Sequence, residues 1–253
     1  MILFLRFLPL LVAILEGLVF WAQLQEPLLY PWVVGIGILA LPAATIAISW
    51  KRLPLRDAFE RMLPSFVLLL ALAFALLLVE GQLGMWAVIL VAVVSSFISL
   101  ELLFLLVYDA PRYPVNGISR ANIAYVPIAV WYAASTSVGL LVFLHTPPTW
   151  HVALMVVLGA VLFRTTGHSG ASLHEKAVWS LLGAIIGAHV GLLGIMLPVS
   201  MPMHGLIAAF IVSVTLRARR YLYAPHPSNR QAWIEGIASI LLFIGSLATA
   251  KWL

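Results

Sequence analysis

The sequence predicts an all-α integral membrane protein, a polytopic bundle of about nine transmembrane helices. Hydrophobic residues make up 63% of the 253 residues and charged residues only 9%, whereas about a quarter of the residues in a soluble domain are charged. The apolar runs are long and repeated, and strand-period alternation is absent from the sequence. Since a helix satisfies its backbone hydrogen bonds within one segment, these runs indicate membrane helices rather than a β-barrel.

Nine apolar segments are long enough, or nearly so, to cross the hydrocarbon core, which takes about 17–25 helical residues. They lie near 2–22, 30–50, 62–80, 84–107, 122–144, 149–165, 176–197, 203–217 and 230–250. The first has the length of a span and no small-residue cleavage site after it, so we interpret it as a membrane helix. The whole chain, 1–253, is predicted to be a single transmembrane domain without a soluble domain.

Lysine and arginine lie in every second connection between these segments. The connections after the second, fourth, sixth and eighth spans contain Lys51, Arg112, Lys176 and Arg217 among others, and the remaining connections contain neither residue type. Because cytoplasmic loops are enriched in Lys and Arg, the N-terminus is predicted in the cytoplasm and the C-terminus outside. The alternation favours nine spans over eight. It also explains the net charge of +5, because these basic residues orient the protein in the lipid bilayer. We expect this bilayer to be a bacterial cytoplasmic (inner) membrane, and we expect no nucleic-acid partner.

The segment GHSG at 167–170 is similar to the serine motif of rhomboid-type intramembrane proteases, and His189 follows it. However, SLHE at 172–175 fits a capping box that starts the seventh span. His189 lies 17 residues further, about 25 Å along a helix, whereas a serine nucleophile must lie about 3 Å from its base. The sequence also has no cysteine and no HExxH, so we predict no catalytic residue, no metal site and no cofactor.

Three carboxylates inside predicted spans, Glu16, Glu101 and Glu235, need a polar partner or a function, because a charge at the centre of a membrane helix costs about 2.5–3.5 kcal/mol on insertion scales. Glu16 and His189 have comparable depths in the outer half, and we expect them to pair. Glu101 and Glu235 lie in the cytoplasmic halves of the fourth and ninth spans, within reach of arginines. For each residue, a structural pair or hydrogen bond and a role in proton or cation coupling remain alternatives.

Gly183, Gly187 and Gly191 recur every four residues on the seventh span. Small residues at this spacing let a neighbouring backbone approach closely. We therefore predict a helix-packing seam, which is also a candidate surface for a partner membrane subunit.

The densest polar cluster surrounds the connection between the fourth and fifth spans, and it is the candidate ligand site of the sequence. Its members are Glu101, Tyr108, Asp109, Arg112, Asn116, Arg120 and Asn122. The two arginines could bind an anionic lipid headgroup or anchor the helices at the surface. A second basic cluster, Arg217, Arg219 and Arg220 with two tyrosines, is predicted to contact headgroups.

Several short motifs carry a resemblance: E-x-x-F-x-x-x-Y from Glu101, P-x-Y and N-x-x-S-x-x-N before the fifth span, LRARRYLY after the eighth, and the final TAKW. They resemble an uncharacterised family of multi-pass membrane proteins of small-genome bacteria, over about half of the chain. The resemblance implies a membrane bundle and no particular activity.

Two hypotheses on function follow. The first is a non-enzymatic transport protein, or a subunit of a membrane complex, for a small molecule or lipid. The second is an intramembrane enzyme that acts on a lipid or lipid-linked substrate at the cytoplasmic face, with the Glu101 cluster as its site. The second would fail if the side chains of that cluster were paired with one another or with neighbours.

Overall fold

A computed structural model of the chain describes residues 2–26, 28, 30–79, 81–113, 116–166 and 172–223, together with six single positions between 233 and 244. This part of the chain forms eight α-helices and one short 3-10 turn, Ala110–Arg112. The helices are α1 (Ile2–Gln25), α2 (Tyr30–Ser49), α3 (Leu55–Ala75), α4 (Gln82–Tyr108), α5 (Gly117–Phe143), α6 (Pro148–Thr165), α7 (Leu173–Met196) and α8 (Met201–Tyr223). All eight are long and apolar enough to cross a membrane. The protein is a multi-pass membrane protein.

The eight helices correspond in order to the first eight predicted spans. The predicted ninth span, 230–250, lies almost entirely outside the described residues, as do the GHSG segment and Glu235. The count of nine and the orientation in the membrane therefore stay predictions.

The largest difference in a boundary is at α3, which begins at Leu55 rather than near 62. The charged residues before 62 were expected in the connection that precedes the span, but they form the first turns of the helix. Pro54 stands at the N-cap, and Arg56 and Glu60 form an i,i+4 ion pair with 3.7 Å between Nε and Oε1. Such pairs stabilise a helix that emerges into water. At α7 the predicted cap is confirmed: Ser172 Oγ accepts from the Glu175 backbone N–H at 3.2 Å.

The chain divides into two compact units, Met1–Tyr125 and Val126–Leu253. In the first unit α1 packs against α2 and α4, and α2 also contacts α3 and α4. Leucines from α3 and α4, such as Leu72 and Leu100, are fully buried in its core. Leu39 and Leu83 are exposed, as expected where the solvent is lipid and apolar surface needs no cover.

In the second unit α6 and α7 form a close pair, and α7 also contacts α8. The C-terminal part of α5 packs on α8: Trp131 Nε1 donates to the Pro202 carbonyl at 3.1 Å. A Cβ atom on Gly205 would lie 2.0 Å from Ser135 Oγ, so glycine is needed at this crossing. A glycine and polar groups therefore lie where α5 crosses α8.

Each unit has two ends that differ in charge. We call the end whose connections contain Lys and Arg the basic end: in the first unit it holds the start of α1 and the end of α4, and in the second the end of α6, the start of α7 and the end of α8. The other end of each unit is called the opposite end.

Candidate functional site

Most side chains of the predicted ligand cluster contact other residues at the basic end of the first unit. Glu101 of α4 forms a hydrogen-bonded ion pair with Arg6 of α1. The Arg6 guanidinium also lies 5.1 Å from the centre of the Phe104 ring. Glu101 was expected to reach an arginine, and Arg6 is that residue. The pair joins two neighbouring helices, which is a structural role.

The remaining side chains near the end of α4 also have neighbours. The guanidinium of Arg52 lies 4.8 Å from the ring centre of Tyr108, a cation–π contact. Asp109 and Arg112 form an i,i+3 ion pair with 3.5 Å between Oδ2 and Nε. These contacts fasten the end of α4 and the 3-10 turn after it.

The last three members of the cluster lie at the start of α5. Asn122 is buried, and its Nδ2 donates to the Arg61 carbonyl of α3 at 2.8 Å. Asn116 is exposed and adopts a left-handed backbone with φ 56°, which asparagine tolerates better than most residues. Arg120 is exposed. Among the seven residues, Glu101, Tyr108, Asp109, Arg112 and Asn122 therefore have identified partners.

Arg219 corrects the prediction for the second basic cluster. It was expected at the lipid headgroups but is 6% exposed. Its Nη1 donates to the Phe163 carbonyl at 3.3 Å and to Thr166 Oγ1 at 3.1 Å, and its Nη2 lies 3.8 Å from Glu175 Oε1. The guanidinium also lies 4.2 Å from the centre of the Trp179 ring. The end of α6 has a free carbonyl that a cation satisfies, so Arg219 points inward and ties α6, α7 and α8 together.

The glycine seam of α7 faces α6. A Cβ atom on Gly183 would lie 2.2 Å from the Gly159 carbonyl oxygen, and one on Gly187 would lie 2.1 Å from the Met155 carbonyl oxygen. On Gly191 it would lie 2.9 Å from a backbone carbon of α6. Real Cβ atoms do not come this close to a backbone, so the seam is filled within the chain by α6.

Among the described residues, Glu16 is the one acid that is fully buried. Its side chain is fully buried in the first unit, and neither carboxyl oxygen has a hydrogen-bond partner among the described residues. It lines a small, mostly apolar pocket between α1, α2 and α3 with Gln23, Gly37, Leu69 and others. A Cβ atom on Gly37 would lie 3.1 Å from Glu16 Oε2, so this glycine leaves room for the carboxyl group.

Gln23 adds a second polar group to the same pocket. It lies two turns after Glu16 on α1, on the same face of the helix. Its Nε2 donates to the Ala73 carbonyl at 3.3 Å, while its Oε1 has no partner in the described part of the chain. An acid and an amide oxygen therefore line the same small pocket, where the acid can take up a proton.

Two buried histidines come together at the opposite end of the second unit. His151 in the first turn of α6 and His204 in the first turn of α8 are 2% and 1% exposed, and their ring centres are 5.7 Å apart. His151 Nδ1 is hydrogen-bonded to Ser137 Oγ of α5. His204 Nδ1 and Nε2 have no hydrogen-bond partner among the residues described. His151 Nε2 forms no direct hydrogen bond there either, although the Gly191 backbone lies close enough to interact with the His151 ring.

The other intramembrane residues that the sequence singled out lie apart from these groups. His189 is exposed on α7, and its Nδ1 is hydrogen-bonded to the Ile185 carbonyl at 2.8 Å. A hydrogen bond was one of the alternatives expected for His189, and the Ile185 carbonyl provides it on the exposed side of α7. The pairing of His189 with Glu16 stays a prediction because the two residues belong to different units.

Comparison of the chain with models of protein families, with curated proteins and with solved structures finds no match. We therefore infer a function from the geometry of this chain alone.

Sequence reasoning missed His151, His204 and the inward role of Arg219. Both histidines lie just inside a predicted span. Each is the last residue of a proline-containing segment, HTPPTWH at 145–151 and MPMH at 201–204. Two such histidines at the same predicted end of two spans were a usable signal. The contacts of Arg219 had no signal of this kind, since they depend on how three helices pack.

Proposed function

We propose that the protein is a non-enzymatic transport protein of a bacterial cytoplasmic membrane, which moves a small molecule or lipid and takes up and releases a proton at Glu16. The observation that carries the proposal is the full burial of this carboxyl group without a hydrogen-bond partner in the described part of the chain. An ionisable residue inside a membrane span usually marks an ion or proton pathway.

Burying the Glu16 carboxyl group without a partner costs free energy. A buried polar group without a partner loses about 1–3 kcal/mol relative to water, and an ionised carboxylate loses more. An apolar residue at position 16 would avoid this cost, so the acid needs another reason to be there. A carboxyl group is neutral when protonated and charged when it has lost the proton. If the protein changes conformation between these two states, the proton exchange explains why an acid is present at position 16.

The acids at the basic ends provide the contrast. Glu101 has Arg6, and Glu175 lies beside Arg219. An ion pair between a carboxylate and a guanidinium from another helix holds the two helices together, which suits a structural role. Glu16 has a pocket and a neighbouring glycine instead, which suits an exchanging proton.

The two alternatives receive less support. An enzyme at the cytoplasmic face needs the cluster around Glu101 to face a substrate, yet five of its seven side chains contact neighbours in the chain. An assembly subunit needs an open docking face, and the glycine seam of α7 that was the candidate is filled by α6.

Proton uptake at Glu16 can be measured before the substrate is known. Proteoliposomes adsorbed on a solid-supported membrane are exposed to a jump in pH, and the transient charge displacement is recorded. We expect a transient in the wild-type protein and its loss in Glu16→Gln. Glu26→Gln is the matched control, because Glu26 is an exposed acid just after the end of α1, and it should keep the transient.

The result that contradicts the proposal is a transient of wild-type size in Glu16→Gln, or its absence in the wild-type protein. Gly37→Val gives a second variant at the same pocket: its side chain would press on Glu16 Oε2 and should reduce the transient while Gly35→Val should not, since a Cβ atom on Gly35 has nothing within 4 Å.

A further inference from the structure

We propose that His151 and His204 form a binding site for a transition-metal cation at the opposite end of the second unit. The proposal does not depend on proton uptake at Glu16, which belongs to the first unit. It rests on the convergence of two buried imidazole nitrogens on one point beside a glycine.

The geometry of that point comes from Gly194 in the last turn of α7. A Cβ atom on Gly194 would lie 2.5 Å from His151 Nε2 and 2.5 Å from His204 Nε2. The two nitrogens are therefore separated by at most twice that distance. Metal–imidazole bonds are about 2.0–2.1 Å long, so a small rotation of either ring brings both nitrogens onto one ion. Any side chain at position 194 would fill the space between them.

Ser137 prepares His151 for this role. When the Nδ1–H of His151 donates to Ser137 Oγ, the lone pair remains on Nε2, which is the atom that faces Gly194. Metal-binding histidines almost always have their second nitrogen held by such a partner, which fixes the ring and its tautomer.

Burial gives the reason for a ligand. Both rings are at least 98% buried, and each imidazole nitrogen without a partner has lost its hydrogen bonds to water without replacement. Two histidines placed to share one point make up for this loss together if a cation binds both. Imidazole is a good ligand for Zn²⁺ and copper and a poor one for Mg²⁺, so the site should take the former class.

The ligand number suggests how the ion is held. Among the described residues, no group of three His, Cys, Asp or Glu side chains surrounds a common point. Structural zinc sites use four protein ligands, and sites with fewer leave positions for water or a substrate. A site with two histidines therefore exchanges its ion and does not lock it into the fold.

The test uses the full chain in lipid nanodiscs, stripped with a chelator and dialysed against Zn²⁺, against Cu⁺ under reducing conditions, or against Mg²⁺. Bound metal is counted by mass spectrometry. We expect about one Zn²⁺ or Cu⁺ per chain, no retained Mg²⁺, and at least about tenfold weaker binding in His204→Ala and in Gly194→Ala. X-ray absorption of the bound ion should show imidazole nitrogen around it.

His189→Ala is the matched control, because His189 is an exposed histidine on α7, the helix that also carries Gly194, and its loss should leave binding unchanged. Equal binding in the wild type and in His204→Ala would place the metal elsewhere and overturn the proposal. Failure of the wild-type protein to bind Zn²⁺ or Cu⁺ would overturn it as well, and would leave the role of Glu16 unaffected. If His204→Ala is unstable, His204→Gln, which keeps most of the side-chain volume, replaces it.

Discussion

The two ends of each unit treat buried polar groups differently. At the basic ends, Arg6 is paired with Glu101, and Arg219 contacts Glu175 and the end of α6. Toward the opposite ends, the Glu16 carboxyl oxygens and the two histidine Nε2 atoms have no hydrogen-bond partner among the described residues. At Glu175 the difference is one of charge, because its Oε1 atom lies 3.8 Å from Arg219 Nη2 but has no hydrogen-bond partner among the described residues.

We infer that the paired polar groups stabilise the fold, and we propose that the unpaired ones bind a proton or a ligand. A membrane bundle gains little from burying apolar side chains, because lipid is as apolar as leucine, so polar contacts and close packing hold helices together. Groups that serve this purpose are found with their partners. A buried ionisable group that lacks a partner among the described residues destabilises the bundle, and proton or ligand exchange is the explanation that we propose for Glu16 and the two histidines.

Gly187→Ala should have the largest effect and sets the scale for a purely structural change. The new Cβ atom would lie 2.1 Å from the Met155 carbonyl oxygen, so α6 and α7 must move apart. We expect a loss of about 3 kcal/mol or more, measured as a fall in thermal midpoint by tryptophan fluorescence in detergent. Gly35→Ala is the control, and with open space around it it should leave stability unchanged or raise it by about 0.5–1 kcal/mol.

Arg219→Met tests whether the basic end of the second unit is structural. Removing the guanidinium leaves the Phe163 carbonyl and Glu175 without a cation, and loss of one member of a buried ion pair costs about 3–5 kcal/mol. Because the Glu175 side chain is 26% exposed, we expect the lower part of this range in the same unfolding experiment. Arg120→Met removes an exposed arginine and should change little; an equally small change in Arg219→Met would contradict the structural role.

Glu101→Gln should have a smaller effect at the basic end of the first unit. The Arg6 side chain is 48% exposed and that of Glu101 20% exposed, so water and salt weaken the pair. We expect a loss of about 0.5–1 kcal/mol, and a smaller loss in high salt, because screening already weakens the pair in the wild type. A loss of activity with no loss of stability would instead place Glu101 in a functional site and reverse the comparison.

Glu16→Gln should have the smallest effect on stability. Glutamine has the shape of glutamate and no charge, so the thermal midpoint should stay the same or rise. A fall as large as that of Arg219→Met would mean that Glu16 has a structural partner, and the contrast between the two ends would then be wrong.

Much of the fold could be predicted from the sequence, because its signals are local. Long apolar runs predicted the eight helices that the structure describes, and the serine and glutamate of SLHE predicted the start of α7. The α3 boundary was less predictable, because charged residues such as Arg56 and Glu60 mark the end of the apolar run even though the helix continues through them.

The sites were less predictable because they depend on packing between distant residues. Charge and depth drew attention to Glu16 but could not show that its pocket is mostly apolar. The Glu101 cluster looked like a site because its polar residues are dense in the sequence, whereas the structure gives Glu101 an arginine from α1. His151 and His204 are 53 positions apart, and only the folding of α6, α7 and α8 shows that they meet beside Gly194.

The most direct test of the contrast is carbodiimide labelling of the native protein in its membrane. A hydrophobic carbodiimide modifies carboxyl groups that hold a proton in an apolar environment and spares carboxylates paired with arginine. After digestion, mass spectrometry compares the modified fraction at Glu16 and Glu101 in one sample. The account predicts strong labelling of Glu16, which falls as the pH of the buffer rises, and little labelling of Glu101. Labelling of Glu101 with Glu16 unmodified would contradict it.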